Sequence, residues 1–122
     1  MKIVLDMKCR VIICDDNVET STVDRQFANL EELHKYVCEW FVPWTDNYCW
    51  IRLSDKEKID LGNKIFQAMM IVYNRHKYVM CYPPQFDSRL CGCHFTVSPC
   101  FLYIKDKVTV DELVEIIERI SE

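Results

Sequence analysis

The stretch that decides the fold is SDKEKIDLGNKIFQAMMIVYNRH, residues 54 to 76. Ser54 and Glu57 match the S-x-x-E capping box, which marks the first turn of a helix. Apolar residues then recur at intervals of three and four, the spacing that places side chains on one face of a helix. One stripe contains Ile59, Gly62, Phe66, Met69 and Tyr73, and Ile65, Ala68 and Val72 lie beside it. Because the apolar face is wide, we expect this helix to be the most buried one.

A glycine interrupts this helical pattern at position 62. Glycine in the interior of a helix costs about 1 kcal/mol relative to alanine, because its backbone loses more entropy when it is ordered. A residue without a side chain leaves room for another backbone. We therefore expect a neighbouring element to approach the long helix closely at Gly62.

Two further helices are predicted, one before and one after the long helix in the sequence. Asn29 can cap a helix near residues 29 to 41, with Glu32 three positions later. Thr109 and Glu112 form a third capping box, and the apolar residues that follow share one side of a helix. The chain therefore carries three predicted helices.

Short runs rich in β-branched and aromatic residues predict the strands. They cover residues 2–6, 9–14, 48–53, 78–82, 93–98 and 100–105. The first two runs are either two short strands or one long bent strand. Together with the helices they predict an α+β fold of two layers. We expect a mixed sheet of about four to six short strands, with the three helices mainly on one face. The length of 122 residues fits a single domain, residues 1–122.

The composition and the charge of the chain argue against several classes of protein. Hydrophobic types make up 50% of the residues and charged types 28%, which is typical of a globular domain and not of a disordered chain. The two glycines are far apart and form no Gly-rich phosphate loop. With a net charge of −4 and scattered basic residues, the sequence does not favour nucleic-acid binding.

The sequence predicts a soluble, cytoplasmic protein that does not enter a membrane. No apolar run approaches the roughly 18 residues that would suggest a membrane-spanning helix. Asp6, Lys8 and Arg10 interrupt the N-terminal apolar stretch, which a secretory signal would keep continuous. Because the cytosol keeps thiols reduced, we expect the eight cysteines to be mostly reduced and buried.

The segment CGCHFTVSPC, residues 91 to 100, concentrates three cysteines and one histidine and permits three interpretations. We prefer a half-buried strand without a cofactor, since apolar and polar residues alternate from Cys93 to Ser98. The second interpretation is a zinc site, which requires four nitrogen or sulfur ligands in a tetrahedron. Its candidate ligands are Cys91, Cys93 and Cys100, with Cys81 or His94 as the fourth.

The third interpretation is catalytic and depends on His94-Phe95-Thr96-Val97. These residues resemble one half of the signature of two-histidine phosphoesterases, in which a histidine and a hydroxyl residue recur on two neighbouring strands. The resemblance implies that His94 is a general acid or base and that Thr96 holds a phosphate. The motifs at His34 and His76 carry tyrosine where the hydroxyl residue belongs. A phosphodiester- or nucleotide-handling enzyme centred on His94-Phe95-Thr96 is the alternative function.

Aromatic residues are concentrated between positions 40 and 50, which hold all three tryptophans. We expect Trp40, Phe41 and Trp50 to fill the core. Trp44 and Tyr48 lie in the polar stretch PWTDNY, and tryptophan and tyrosine are enriched at binding hot spots. We therefore expect a protein partner to bind at Trp44 and Tyr48.

The leading functional hypothesis is a non-enzymatic, intracellular binding or regulatory module. The sequence contains no complete set of catalytic residues, whereas the turn with Trp44 and Tyr48 offers a contact surface. Small domains that are rich in cysteine and aromatic residues and poor in motifs are similar in style to virus- or phage-encoded antagonists of host factors. The sequence leaves the partner and the oligomeric state open.

Overall fold

The computed structural model describes residues 1–7, 10–20, 22–39, 54–81 and 109–121. This part of the chain forms four strands and three helices, which confirms the α+β fold class. The elements are β1 (Lys2–Asp6), β2 (Val11–Cys14), β3 (Val23–Gln26), α1 (Leu30–Cys38), α2 (Asp55–His76), β4 (Tyr78–Cys81) and α3 (Val110–Ser121). The predicted strands at 48–53, 93–98 and 100–105 lie outside the described residues.

The four strands form one antiparallel sheet in the order β3-β1-β2-β4. A short hairpin joins β1 and β2, and a connection of this length requires antiparallel pairing. Asp6 closes the hairpin, because its carboxylate accepts bonds from the backbone N–H of Arg10 at 2.9 Å and from Nε of Arg10 at 2.7 Å. The sequence led us to expect a mixed sheet, and every pairing among these four strands is antiparallel.

The sequence does not predict β3, because its residues VDRQ are mostly polar and all four are exposed. Its place at the end of the described sheet explains this composition. The guanidinium of Arg25 lies over the ring of Phe27, 4.4 Å from its centroid. Phe27 is buried and packs edge-on against Tyr36 of α1, with the ring centroids 5.3 Å apart. Contacts with α1 therefore support a strand that the local sequence does not specify.

The main core lies between the sheet and the three helices. Its fully or nearly fully buried members from α2 are Leu61, Ile65, Ala68, Met69 and Val72. Ile59 belongs to the predicted apolar stripe and is nevertheless 45% exposed. The most buried part of the wide predicted face is therefore the side that carries Ile65, Ala68, Met69 and Val72. Packing against both α1 and α3 sets this rotation of the helix.

The opposite face of the sheet carries a second, smaller apolar cluster. It contains Val4, Ile12 and Cys14, with Tyr78 and Met80 packed against it, and no helix residue of the described chain belongs to it. These residues alternate along their strands with those of the main core, as the two-residue period of a strand requires. Burial on both faces explains why β1 and β2 are apolar at successive positions.

The close approach expected at Gly62 is confirmed. A β-carbon placed on Gly62 would lie 2.6 Å from Cα of Cys38 and 3.1 Å from the carbonyl oxygen of Val37. The absent side chain thus lets α1 cross α2 in direct backbone contact. This crossing brings the C-terminal turn of α1 next to the residues that follow Gly62.

Candidate functional site

The sites predicted from the sequence lie outside the described residues. They are Trp44 and Tyr48 for protein binding, His94 and Thr96 for catalysis, and Cys91, Cys93 and Cys100 for zinc. These expectations stay predictions. Two groups of chemically active side chains are brought together within the described chain, one where α1 meets α2 and one where α2 meets α3.

The described cysteines are Cys14, Cys38 and Cys81, and none of the three forms a disulfide. Cys14 and Cys81 are fully buried among apolar side chains, as expected for cysteine that packs as a small hydrophobe. Cys81, a candidate fourth zinc ligand, lies in the main core between the sheet and the helices. Burial raises the pKa of the Cys14 thiol, which opposes a role for it as a nucleophile.

The interhelical cluster consists of His34 and Cys38 of α1 and Asn63 of α2. Both α1 side chains contact the same atom, the Oδ1 of Asn63: Nε2 of His34 lies 2.5 Å from it and Sγ of Cys38 lies 3.4 Å from it. Because an amide oxygen can only accept, His34 donates from Nε2, and Nδ1 of the neutral ring carries no proton. The ring of Phe66 lies beside the imidazole, 4.8 Å between centroids.

Local sequence explains how these side chains meet. His34 and Cys38 are four residues apart, so they lie one above the other on the same face of α1. Asn63 follows Gly62, the position at which the backbones touch. This cluster was not predicted from the sequence, because Asn63 is 25 or more residues away from its partners. The spacing H-x-x-x-C on a predicted helix was the available signal, whereas its pairing with Asn63 depends on the helix crossing.

The interhelical cluster contains the residue types of a cysteine-hydrolase triad, but its electrostatics oppose a thiolate. Burial raises the pKa of Cys38, and the charge of Glu39 raises it further. Cys38 also lies at the C-terminus of α1, where the helix dipole disfavours negative charge. The thiol is therefore held protonated, which does not suit a nucleophile.

The second group joins α2 to α3 at the other end of α2. Nε2 of His76 donates to Oε2 of Glu118 at 2.6 Å, and Arg75 donates to Oε1 at 3.2 Å. The bond from His76, reinforced by Arg75, lowers the pKa of Glu118. His76 and Glu118 line a half-open depression of about 260 Å³ together with Tyr78 and Ser121.

Ser121 supplies a hydroxyl group to this depression, and this hydroxyl is hydrogen-bonded to backbone groups. Its Oγ accepts from the N–H of Met80 at 2.9 Å and lies 2.7 Å from the carbonyl oxygen of Ile117, to which it can donate. His76 does not contact it in the described hydrogen bonds. The histidine and carboxylate therefore form an acid–base pair that has no activated nucleophile among the described side chains.

The segment 40–53, which contains Trp44 and Tyr48, is attached at both ends to capped helices. On one side, the backbone N–H of Glu39 donates to the carbonyl oxygens of Lys35 and Tyr36, which ends α1. On the other side, Ser54 and Glu57 form the predicted capping box, with Glu57 N–H 3.2 Å from Oγ of Ser54 and Ser54 N–H 3.0 Å from the Glu57 carboxylate. Both attachment points, Glu39 and Ser54, therefore cap helices that pack against each other.

No protein-family model, no curated protein and no solved structure matches this chain. Within the described ranges, no three side chains of His, Cys, Asp or Glu come together as a metal-binding group. Among the same residues, no helix combines the length and apolar character needed to cross a membrane.

Proposed function

We propose that this chain is a protein-binding module that acts through the segment 40–53, with Trp44 and Tyr48 as its contact residues. The observation that carries the proposal is the attachment of this segment to two capped helices whose backbones are in contact at Gly62. Binding residues are often carried on connections that a rigid scaffold positions. Tryptophan and tyrosine supply large contact areas at such positions at low cost in conformational entropy.

The net negative charge of the chain favours a protein partner over a nucleic acid. The net charge is −4, and a nucleic-acid surface would require a basic face to neutralise phosphates. The proposed role is regulatory and non-enzymatic, of the kind that a virus or phage directs against a host factor. The proposed setting is the cytoplasm, where thiols such as Cys14 and Cys38 remain reduced.

The test has two steps, identification of a partner and measurement of its affinity. Affinity capture from candidate host lysates with mass spectrometry supplies the partner, which is then purified for titration against the wild-type chain. The double variant Trp44→Ala with Tyr48→Ala is expected to weaken binding by about 100-fold or more, since each hot spot contributes about 2 kcal/mol or more.

A matched control truncates two exposed apolar side chains outside the segment, Met7 and Val23, which are 61% and 43% exposed. The variant Met7→Ala with Val23→Ala is expected to bind as the wild type does. Circular dichroism and thermal melting establish that both double variants are folded. Wild-type affinity in the folded Trp44/Tyr48 variant, or no partner in any lysate, would overturn the proposal.

A further inference from the structure

We propose that His34, Cys38 and Asn63 form a binding site for a thiophilic divalent cation of the Zn²⁺ class. This inference is independent of the proposed protein-binding function. Its starting point is the convergence of an imidazole nitrogen and a thiol sulfur on one amide oxygen, at 2.5 and 3.4 Å. Zinc accepts nitrogen, sulfur and oxygen ligands at about 2.0 to 2.3 Å, so a bound ion would replace the two contacts that His34 and Cys38 make with Oδ1 of Asn63.

The backbone holds the three donors in place before a cation binds. The four-residue spacing of His34 and Cys38 on α1 places both side chains on one face. On α2, Gly62 fixes the depth at which Cys38 meets the helix, since even a β-carbon there would lie 2.6 Å from its Cα. Asn63 is the next residue of α2. Donors held on two packed helices lose little conformational entropy when they bind an ion.

The electrostatic surroundings favour a cation. The carboxylate of Glu39 and the negative end of the α1 dipole both lie at Cys38. This negative charge attracts a divalent ion, and a thiol that coordinates such an ion loses its proton.

Binding exchanges one proton for the ion, without oxidation or reduction. The sulfur–hydrogen bond of Cys38 breaks, the proton leaves to solvent and the sulfur forms a bond to the cation. The proton on Nε2 of His34 moves to Nδ1, which frees the Nε2 lone pair for coordination. Asn63 supplies a neutral oxygen through Oδ1. Three protein donors leave the fourth tetrahedral position to a water molecule.

Only two of the three donors belong to the strong zinc-binding types, which agrees with the absence of any group of three His, Cys, Asp or Glu side chains in the described residues. The neutral amide of Asn63 therefore makes this a weaker site than a four-ligand structural zinc centre. Its bound cation would connect the C-terminal turn of α1 to α2, next to the point where segment 40–53 begins.

The experiment is a titration of the reduced full chain with Co²⁺, whose thiolate bond and tetrahedral geometry give characteristic absorption bands. We expect one equivalent to bind and to be displaced by Zn²⁺. Cys38→Ser and His34→Ala are each expected to weaken binding by about tenfold or more, since loss even of an outer-shell partner costs 10- to 100-fold. Binding should tighten as the pH rises, because the thiol proton is released.

Matched controls remove a thiol and an imidazole elsewhere in the structure. Cys14→Ala removes a fully buried cysteine and His76→Ala removes an exposed histidine, and both should bind Co²⁺ as the wild type does. Melting curves without metal identify variants that fail to fold. Asn63→Ala provides a second test, because it removes one donor and keeps the two strong ligands, His34 and Cys38. No binding by the wild type would overturn the site. Unchanged Co²⁺ binding by folded Cys38→Ser and His34→Ala would also overturn the site, because the ion would then be bound by other thiols.

Discussion

Two histidines connect the long helix α2 to its neighbours through bonds of similar length in different surroundings. His34 donates to the neutral oxygen of Asn63 at 2.5 Å in the half-buried crossing of α1 and α2. His76 donates to the carboxylate of Glu118 at 2.6 Å, in a contact where the side chains are 55% and 29% exposed. Similar geometry therefore occurs once in a half-buried contact and once in a contact whose histidine is mostly exposed.

This difference shows that exposure to solvent, more than bond length, decides how much each contact contributes to the stability of the fold. When a buried bond is removed, the remaining donor has no replacement partner and the full desolvation cost appears. When an exposed ion pair is removed, water and salt replace most of the interaction. We therefore expect α2 to be more sensitive to changes at its contact with α1 than to changes at its polar contact with α3.

The largest effect on the free energy of unfolding is expected from Gly62→Ala, which tests the backbone contact between α1 and α2. The added β-carbon would overlap backbone atoms, which cannot rotate away. We expect a cost of about 3 kcal/mol from overpacking, offset by about 1 kcal/mol of gained helix propensity. The free energy of unfolding, measured with urea, should therefore fall by about 2 kcal/mol.

The control for this prediction is Gln67→Ala, at an exposed position of the same helix. It should change the free energy of unfolding by no more than about 0.5 kcal/mol. An alanine at position 62 that leaves stability unchanged or raises it would show that α1 and α2 do not approach as closely as the 2.6 Å contact requires.

The second-largest effect on the free energy of unfolding is expected from Asn63→Ala, which removes the shared acceptor of the interhelical cluster. His34 and Cys38 would lose their common partner in a half-buried position. We expect the free energy of unfolding to fall by about 1 to 2 kcal/mol, the cost of leaving such groups unsatisfied. Asn74→Ala, at an exposed position of α2, is the matched amide truncation and should be nearly neutral. Equal effects of the two substitutions would remove the contrast between the two histidine contacts.

The smallest effect on the free energy of unfolding is expected from Glu118→Gln, and the size of this effect should depend on pH. Hydrogen bonding from His76, with Arg75, lowers the pKa of Glu118 below its ordinary value of 4.5. A lowered folded-state pKa stabilises the protein above the unfolded-state pKa, and this contribution is lost as the pH falls through the folded-state value. The wild type should therefore exceed the variant in stability at neutral pH and lose this advantage in acid below the lowered pKa.

The measurement is urea unfolding of the wild type and Glu118→Gln across this acidic range, at low and high salt. High salt should shrink the difference at neutral pH, since the contact is exposed. Glu115→Gln on the same helix, whose carboxylate lies 3.6 Å from Arg119, is the control and should show a smaller pH-dependent difference. A stability difference that persists undiminished in acid would contradict the assignment of this bond to the ionised carboxylate.

Much of the fold could be predicted because its signals are local. Asn29, Ser54 and Thr109 each accept a bond from the backbone N–H three residues later, as their capping patterns indicated. These bonds depend on neighbours in the sequence and on little else. The polar strand β3 could not be predicted in this way, because pairing with β1 and contacts with α1 hold it in the sheet.

The candidate sites were predicted less well, for a related reason. The spacing of His34 and Cys38 was visible in the sequence, whereas Asn63 is separated from them by 25 residues or more. The same holds for His76 and Glu118, which are 42 residues apart. Cysteine burial was predictable at Cys14 and Cys81, since both stand in apolar strands.

The sequence by itself determined where the three helices begin, that α2 is long and amphipathic, and that Gly62 admits a close neighbour. Each of these features follows from interactions among residues a few positions apart, or from the absence of a side chain. Only the tertiary structure decided which part of the apolar face of α2 is most buried and which side chains share Asn63. It did so because the crossing of α1 and α2 is a compromise among packing contacts from distant parts of the chain, which no local pattern encodes.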